Sequence, residues 1–280
     1  MRNPFHDIDA RFGLDPMPGG GTPIFLLAAG WRSGSTLLQR LVMSAEKALI
    51  WGEPYGRAGL VPSVTRVLQT FQPTWPPDGA FASPDLRREA PESQWIANLY
   101  PEPGALRDGL RAMFDTWLQV PAATRGYPRF GLKEVRLSVL DAMALQWIYP
   151  DARFVFLVRD PWRCWSSMKG HRWVLRWPDQ AVTEVAQFAQ VWTGLSRSFL
   201  AWDDPAAVRV RFEDLRNPAT NLDALEAHLG LRMDLGVRDV TVRGIRKEPS
   251  ELTPAEIQCI DEVCGPTARA LGYAPPLVGV

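Results

Sequence analysis

The stretch Pro23-Ile24-Phe25-Leu26-Leu27-Ala28-Ala29-Gly30-Trp31-Arg32-Ser33-Gly34-Ser35-Thr36-Leu37-Leu38 decides the fold class. Residues 23–29 form an uninterrupted apolar run with glycines on either side, Gly19 to Gly21 before it and Gly30 after it. Such a run suits a strand buried on both faces, as a central parallel strand is. After Gly34, Ser35 can cap a helix whose apolar residues Leu37, Leu38, Leu41 and Val42 recur at helical spacing. The unit reads strand, tight loop, helix.

A second unit of the same kind lies downstream. Residues 152–158 (Ala-Arg-Phe-Val-Phe-Leu-Val) predict another buried strand, followed by Asp160 as cap and Pro161 at the first helical position. Between the two units, strands are predicted at 48–51, ending at Gly52-Glu53-Pro54, and at 130–135, with helices at 104–118 and 137–148. Beyond them come a helix at 181–199, a strand at 208–212, and helices at 221–229 and 254–271. Alternating strands and helices predict a single α/β domain with a mostly parallel central sheet flanked by helices. Sheets of this kind bind ligands at the carboxyl ends of their strands. The domain is expected over 23–273, with 1–22 as a polar, Pro- and Gly-rich leader and 274–280 as a tail. Pro73, Pro76, Pro77, Pro84, Pro91, Pro101 and Pro103 forbid long regular elements, so 73–103 reads as an excursion and a candidate acceptor lid.

Composition limits the function classes. A chain of 280 residues can bury a core without disulfides or structural metals. Its 31 basic residues balance 31 acidic ones, so no bulk field draws it to nucleic acid or anionic lipid, and any anion must be held locally. Cys164, Cys259 and Cys264 lack partners at a zinc spacing and read as reduced thiols. The early apolar run is too short for a signal core or a membrane span, which makes a cytoplasmic protein the expectation. Of 12 tryptophans, six fall between Trp162 and Trp202. Core filling is the plainer reading of each, with Trp173 and Trp177 the candidates for acceptor contact.

The loop 30–36 sits where a phosphate loop belongs, with backbone N–H groups and a helix start converging on one point. Against G-x-x-x-x-G-K-[ST], its second glycine comes one residue early and the Lys is missing. A second anion motif, Val158-Arg159-Asp160-Pro161 with Ser167, leaves the other buried strand. This pair of motifs resembles the sulfotransferases that use 3′-phosphoadenosine 5′-phosphosulfate. The resemblance extends through Leu132-Lys133, Arg211-Phe212-Glu213-Asp214-Leu215 and Leu271-Gly272-Tyr273. Arg32, Leu37 and Val135 stand where the small-phenol branch has Lys, an aromatic residue and the catalytic His, and Gly52-Glu53 is more similar to the carbohydrate and tyrosylprotein branches.

The resemblance implies a role for each position. Arg32, Ser33, Gly34, Ser35 and Thr36 would hold the 5′-phosphosulfate, and Arg159 with Ser167 the 3′-phosphate. Arg246 and Lys247 could close over the same phosphate, although a solvated basic pair is the plainer reading of those two. Lys133 and Arg32 would stabilise charge on the leaving phosphate in place of a metal, and Glu53 would serve as base, with Glu134 second. The acceptor would be a hydroxyl on a carbohydrate, glycolipid, peptide tyrosine or other metabolite, and the product 3′-phosphoadenosine 5′-phosphate. Two rivals remain: a P-loop kinase, against which the absent loop Lys argues, and a nucleotide-binding module without catalysis.

Overall fold

Five parallel strands form the centre of the molecule. They are β1 (Ile24–Ala28), β2 (Ala48–Gly52), β3 (Arg129–Glu134), β4 (Arg153–Val158) and β7 (Ala207–Arg211), in the spatial order β2-β3-β1-β4-β7. This computed structural model describes residues 1–17, 21–82, 92, 99–169, 175–177, 180–240 and 250–276. A short antiparallel pair, β5 (Leu175–Trp177) and β6 (Gln180–Val182), stands apart from the sheet.

The apolar runs read from the sequence are the strands in the middle of the sheet. All five residues of β1 are buried, and β1 pairs with β3 on one side (Leu26 opposite Lys133) and β4 on the other (Leu26 opposite Val155). Helices cover both faces. On one face α2 (Ser35–Met43), α9 (Phe212–Arg216) and α10 (Asp223–Leu229) pack through Leu38, Leu41, Leu215, Leu225 and Leu229 onto Leu26 and Val155. On the other lie α3 (Leu60–Leu68), α4 (Pro103–Phe114), α5 (Val120–Ala123), α6 (Val139–Ile148), α7 (Pro161–Met168), α8 (Val185–Ala201) and α11 (Pro254–Ala270). The helix α6 is buried nearly all round, and Ser138 with Asp141 closes a capping box at its start.

Several elements differ from the sequence reading. Residues 1–22 were expected as a leader, yet α1 (His6–Phe12) forms within them, and Phe5 and Ile8 are buried in the main core. Asn3 donates to the carbonyl of Met143 and to Gln146 Oε1 on α6. Phe5, Ile8 and Phe12, spaced three and four positions apart, turn one face of this short helix to the core. The helix predicted to begin at 181 begins at Val185, because 180–182 pairs as β6. The helix predicted over 104–118 opens at Phe114 into a π turn, Asp115–Gln119, before α5. Pro121 has no N–H to offer the carbonyl of Trp117, and Trp51 Nε1 donates to the carbonyl of Leu118 at 3.1 Å. Of the proline-rich excursion, 83–91 and 93–98 lie outside the described residues. Trp162, Trp165, Trp192 and Trp202 are buried in the core, as the plainer reading of the tryptophans held.

Candidate functional site

The chain leaves β1 toward one side of the sheet and β4 toward the other, so a crevice opens where these strands end. Each loop that follows a strand delivers a polar group there. The loop after β1 brings Gly30 to Thr36, β2 is followed by Glu53, β3 carries Lys133 at its end, and Arg159 follows β4.

The first loop is built as an anion cradle. Gly34 precedes α2 with φ 88°, no side chain caps the helix, and no acidic residue stands in its first turn. The helix N-terminus therefore keeps its partial positive charge unneutralised. Ser35 was expected to cap; it is the first helical residue instead, and Gly34 takes the cap position. Ser33 is fully buried and its Oγ donates to the carbonyl of Gly30 at 2.8 Å, which fixes the turn. A Cβ on Gly34 would lie 2.0 Å from the ring of Phe212, so close approach as well as positive φ requires glycine there. Arg32 has φ 61°, a left-handed conformation that costs a non-glycine residue on the order of 1–2 kcal/mol.

Arg32, Arg159 and Ser167 meet beside this loop. Arg32 Nε donates to Ser167 Oγ at 3.0 Å, and Arg159 Nη1 donates to the carbonyl of Arg32 at 2.6 Å. Arg159 also lies over the Phe212 ring, 4.4 Å from its centroid, while its buried Nε has no hydrogen-bond partner among the described residues. Neither guanidinium forms an ion pair among the described residues. Burial, and then the nearby Arg159 charge, lower the pKa of Arg32. Two cations held together without a carboxylate make a site that an anion would stabilise. Asp160, adjacent to Arg159, turns away to cap α7, accepting from the N–H of Arg163 at 3.0 Å. Arg32, expected beside Lys133 at the leaving phosphate, directs its Nε to Ser167 Oγ.

The second group gathers at the ends of β2 and β3. Lys133 Nζ donates to Glu53 Oε1, and the Glu53 N–H donates to the carbonyl of Lys133 at 2.8 Å. Strand alternation turns Lys133 to the face that α2 covers, with Val135, and Glu134 to the opposite face, with Leu132. Arg136 was not singled out in the sequence. It bridges the carboxylates, with Nη2 at 3.0 Å from Glu134 Oε2 and 3.7 Å from Glu53 Oε2. Burial raises the Glu134 pKa, an effect Arg136 opposes. The signal for Arg136 was its position two residues beyond Glu134 at a strand end, a spacing too common to stand out. Glu53 and Tyr55 have φ 37° and 52°, so three of the four non-glycine residues with positive φ among the described residues lie in the two loops of this site. Strain of this kind is found where a loop is held for function.

Phe212 begins α9, and the motif around it ties the site to the C-terminal end. Glu213 accepts from the Asp160 N–H at 3.4 Å and from Tyr273 Oη at 2.8 Å. Arg246, Lys247, Trp173 and His171 lie outside the described residues, and for Trp177 only the backbone is described. Cys164 and Cys264 are buried free thiols whose pKa values burial pushes up to about 12. No group of His, Cys, Asp and Glu that could hold a metal occurs among the described residues.

The model of the Sulfotransferase family matches residues 23–234, which takes in both anion motifs and the Glu53–Lys133 pair. The chain belongs to the sulfotransferase family. No curated protein matches it. Among solved structures it is similar to the sulfotransferase domain of the Synechococcus PCC 7002 olefin synthase, with 16% identity over 94% of this chain and 99% of that one and a TM-score of 0.48. Sulfotransferase STF9 of Mycobacterium avium gives 13% identity, 99% and 83% coverage, and a TM-score of 0.47. A sulfotransferase of Alicyclobacillus acidocaldarius gives 16%, 90% and 95%, and 0.48. By its family this protein is a transferase, and its central sheet is parallel. No helix among its described residues is long and apolar enough to cross a membrane.

Proposed function

We propose that this sulfotransferase moves a sulfuryl group from 3′-phosphoadenosine 5′-phosphosulfate to an acceptor hydroxyl. The observation that carries the reading is the Arg32–Arg159–Ser167 cluster, two cations and a hydroxyl with no acidic partner among the described residues, beside an uncapped helix N-terminus. A donor with two separate anionic groups suits that arrangement: the 5′-phosphosulfate in the loop 30–36, and the 3′-phosphate on Arg159, Ser167 and Arg32. Arg246 and Lys247 would add to the same phosphate. In transfer, the bond between sulfur and the 5′-phosphate oxygen breaks with its electron pair left on that oxygen, where Lys133 stabilises the charge. A bond forms between sulfur and the acceptor oxygen, whose proton passes to Glu53. The positions of cations at the transferring group make a metal unnecessary in this scheme.

Calorimetry tests the donor site. Binding of 3′-phosphoadenosine 5′-phosphate should exceed that of AMP by about 2 to 5 kcal/mol, the cost of leaving buried charged partners empty. Equal affinity for AMP would sink the assignment of Arg159 and Ser167, and tightest binding of ATP with magnesium would favour a kinase. Glu53→Gln should lower single-turnover transfer from labelled donor by about 10² to 10⁴ with donor affinity unchanged. Transfer at the parent rate would remove Glu53 as base.

A further inference from the structure

The charged side chains that meet where β2 and β3 end are unequally placed. The Glu53 side chain is 31% exposed, against 8% for Glu134 and 10% for Arg136, so of the two carboxylates Glu53 is the one open to an acceptor. Arg136 Nη2 donates to both oxygens of Glu134, at 3.0 Å and 3.4 Å, and lies 3.7 Å from Glu53 Oε2. Glu53 is thus flanked by a cation at each oxygen, Lys133 at Oε1 and Arg136 at Oε2. The chain makes room for this arrangement. Gly56, in the short turn Gly56–Ala58, has no positive φ, yet a Cβ there would lie 1.5 Å from Arg136 Nη2 and 2.5 Å from its Cζ. The guanidinium, not the backbone, requires glycine at this position.

We propose that Arg136 is a positioning residue for sulfuryl transfer: it anchors Glu53 at the oxygen that Lys133 does not hold, and Gly56 is glycine to let it do so. The inference rests on the sulfuryl-transfer reading and adds to it two residues that act through Glu53. Lys133 cannot serve Glu53 and the leaving phosphate equally. As negative charge grows on the 5′-phosphate oxygen, Lys133 Nζ is drawn toward it and away from Glu53 Oε1. Arg136, whose guanidinium is always charged, is then the cation that keeps the Glu53 carboxylate in place. At 3.7 Å its contact with Oε2 is an ion pair without a hydrogen bond, which leaves the lone pairs of Glu53 open to the acceptor proton. On Glu134 the same nitrogen makes hydrogen bonds, which keeps that buried carboxylate from competing for the proton. A base misplaced by about 1 Å costs on the order of 10² in rate, so the anchor matters to turnover even though it takes no part in the proton transfer.

The test is single-turnover release of labelled sulfate from labelled 3′-phosphoadenosine 5′-phosphosulfate, with water as the probe acceptor. The bond from sulfur to the 5′-phosphate oxygen breaks, one forms from sulfur to the water oxygen, and the water's proton goes to Glu53. Binding of 3′-phosphoadenosine 5′-phosphate is measured on each protein by calorimetry. Arg136→Met should lower the rate at least about tenfold with nucleotide affinity unchanged, and Arg136→Lys, which keeps a cation, should recover part of the loss. Gly56→Ala displaces the guanidinium but leaves every charge in the protein; it should match Arg136→Met, and it serves if that variant fails to fold. The double variant decides the matter. Arg136→Met added to Glu53→Gln should cost nothing more, because a residue that acts through Glu53 has no effect once the base is gone, whereas a merely structural role would give a further loss of the same size. That further loss, or a Gly56→Ala protein with the parental rate, overturns the positioning role while donor binding stands. A parent that fails to bind 3′-phosphoadenosine 5′-phosphate or to release sulfate overturns the transfer reading, and this inference with it.

Discussion

At residue scale, the donor-side loop is strained and self-repelling. Arg32 occupies a left-handed backbone conformation, and its guanidinium is held near that of Arg159. Both features oppose folding in the absence of an anion, and a bound phosphate relieves the second. Arg32→Gly removes the strain and the repulsion, at the cost of a more flexible unfolded chain. The free variant should therefore melt at the parent temperature or above it, with a gain of up to about 1 kcal/mol. The same change removes a phosphate ligand, so the rise in melting temperature caused by 3′-phosphoadenosine 5′-phosphate should shrink. Thermal melts with and without the nucleotide check both signs. A large loss of stability in the free variant would mean that Arg32 has a structural role that the hydrogen bond to Ser167 does not convey.

At element scale, α7 carries Ser167 and is pinned to α11. Lys169 Nζ donates to Glu256 Oε2 at 2.5 Å, Trp165 Nε1 donates to Glu256 Oε1 at 2.8 Å, and the Thr253 N–H also donates to Oε2. Burial alone would raise the Glu256 pKa, but these hydrogen bonds override it and hold it at about 2. A carboxylate depressed in the folded state contributes stability that is complete above its unfolded pKa and is lost as pH falls through the folded one. Glu256→Gln should cost about 1.5–3 kcal/mol at neutral pH, the range for hydrogen bonds to a charged group. The gap between parent and variant should close as pH falls from about 4.5 toward 2. Urea titrations at a series of pH values measure it, and a gap independent of pH would remove Glu256 as the titrating group. The pinning helix α11 was legible in the sequence, since Thr253, Pro254 and Glu256 spell a helix start. So were β1 and β4, because strands buried on both faces must be apolar throughout. By contrast, α3 carries Pro62 in its first turn and follows two glycines in the Gly56–Gly59 turn, which masks its pattern from any local reading.

At the scale of the whole molecule, contacts that join distant parts of the chain were the least legible. Glu53 and Lys133 each stood out locally, but their meeting depends on β2 lying next to β3, which no local pattern reveals. Arg136 escaped notice for the same reason, since its partners come from two strands. The N-terminal helix is the largest case. Asp9 of α1 accepts from Trp147 Nε1 on α6 at 2.8 Å and pairs with Arg107 on α4 at 2.9 Å. Arg11 donates to the carbonyls of Gln72, Trp75 and Pro76, holding the start of the proline-rich excursion. Thus α1 fastens α4, α6 and the segment that follows α3. Removing residues 1–12 deletes Phe5 and Ile8 from the core, whose burial is worth about 1.5–3 kcal/mol each, and leaves Trp147 and Arg107 without Asp9. The truncated protein should lose about 3–6 kcal/mol of stability in denaturant titration. At temperatures where it remains folded, its affinity for 3′-phosphoadenosine 5′-phosphate should match the parent's, because Arg32, Arg159 and Ser167 are anchored on β1, β4 and α7. Transfer to acceptor should fall, since α3 and the π turn after α4 border the strand-end group of Glu134 and Arg136 beside Glu53. Equal losses of donor binding and transfer would show that the two halves of the site are coupled through the core rather than held by separate elements.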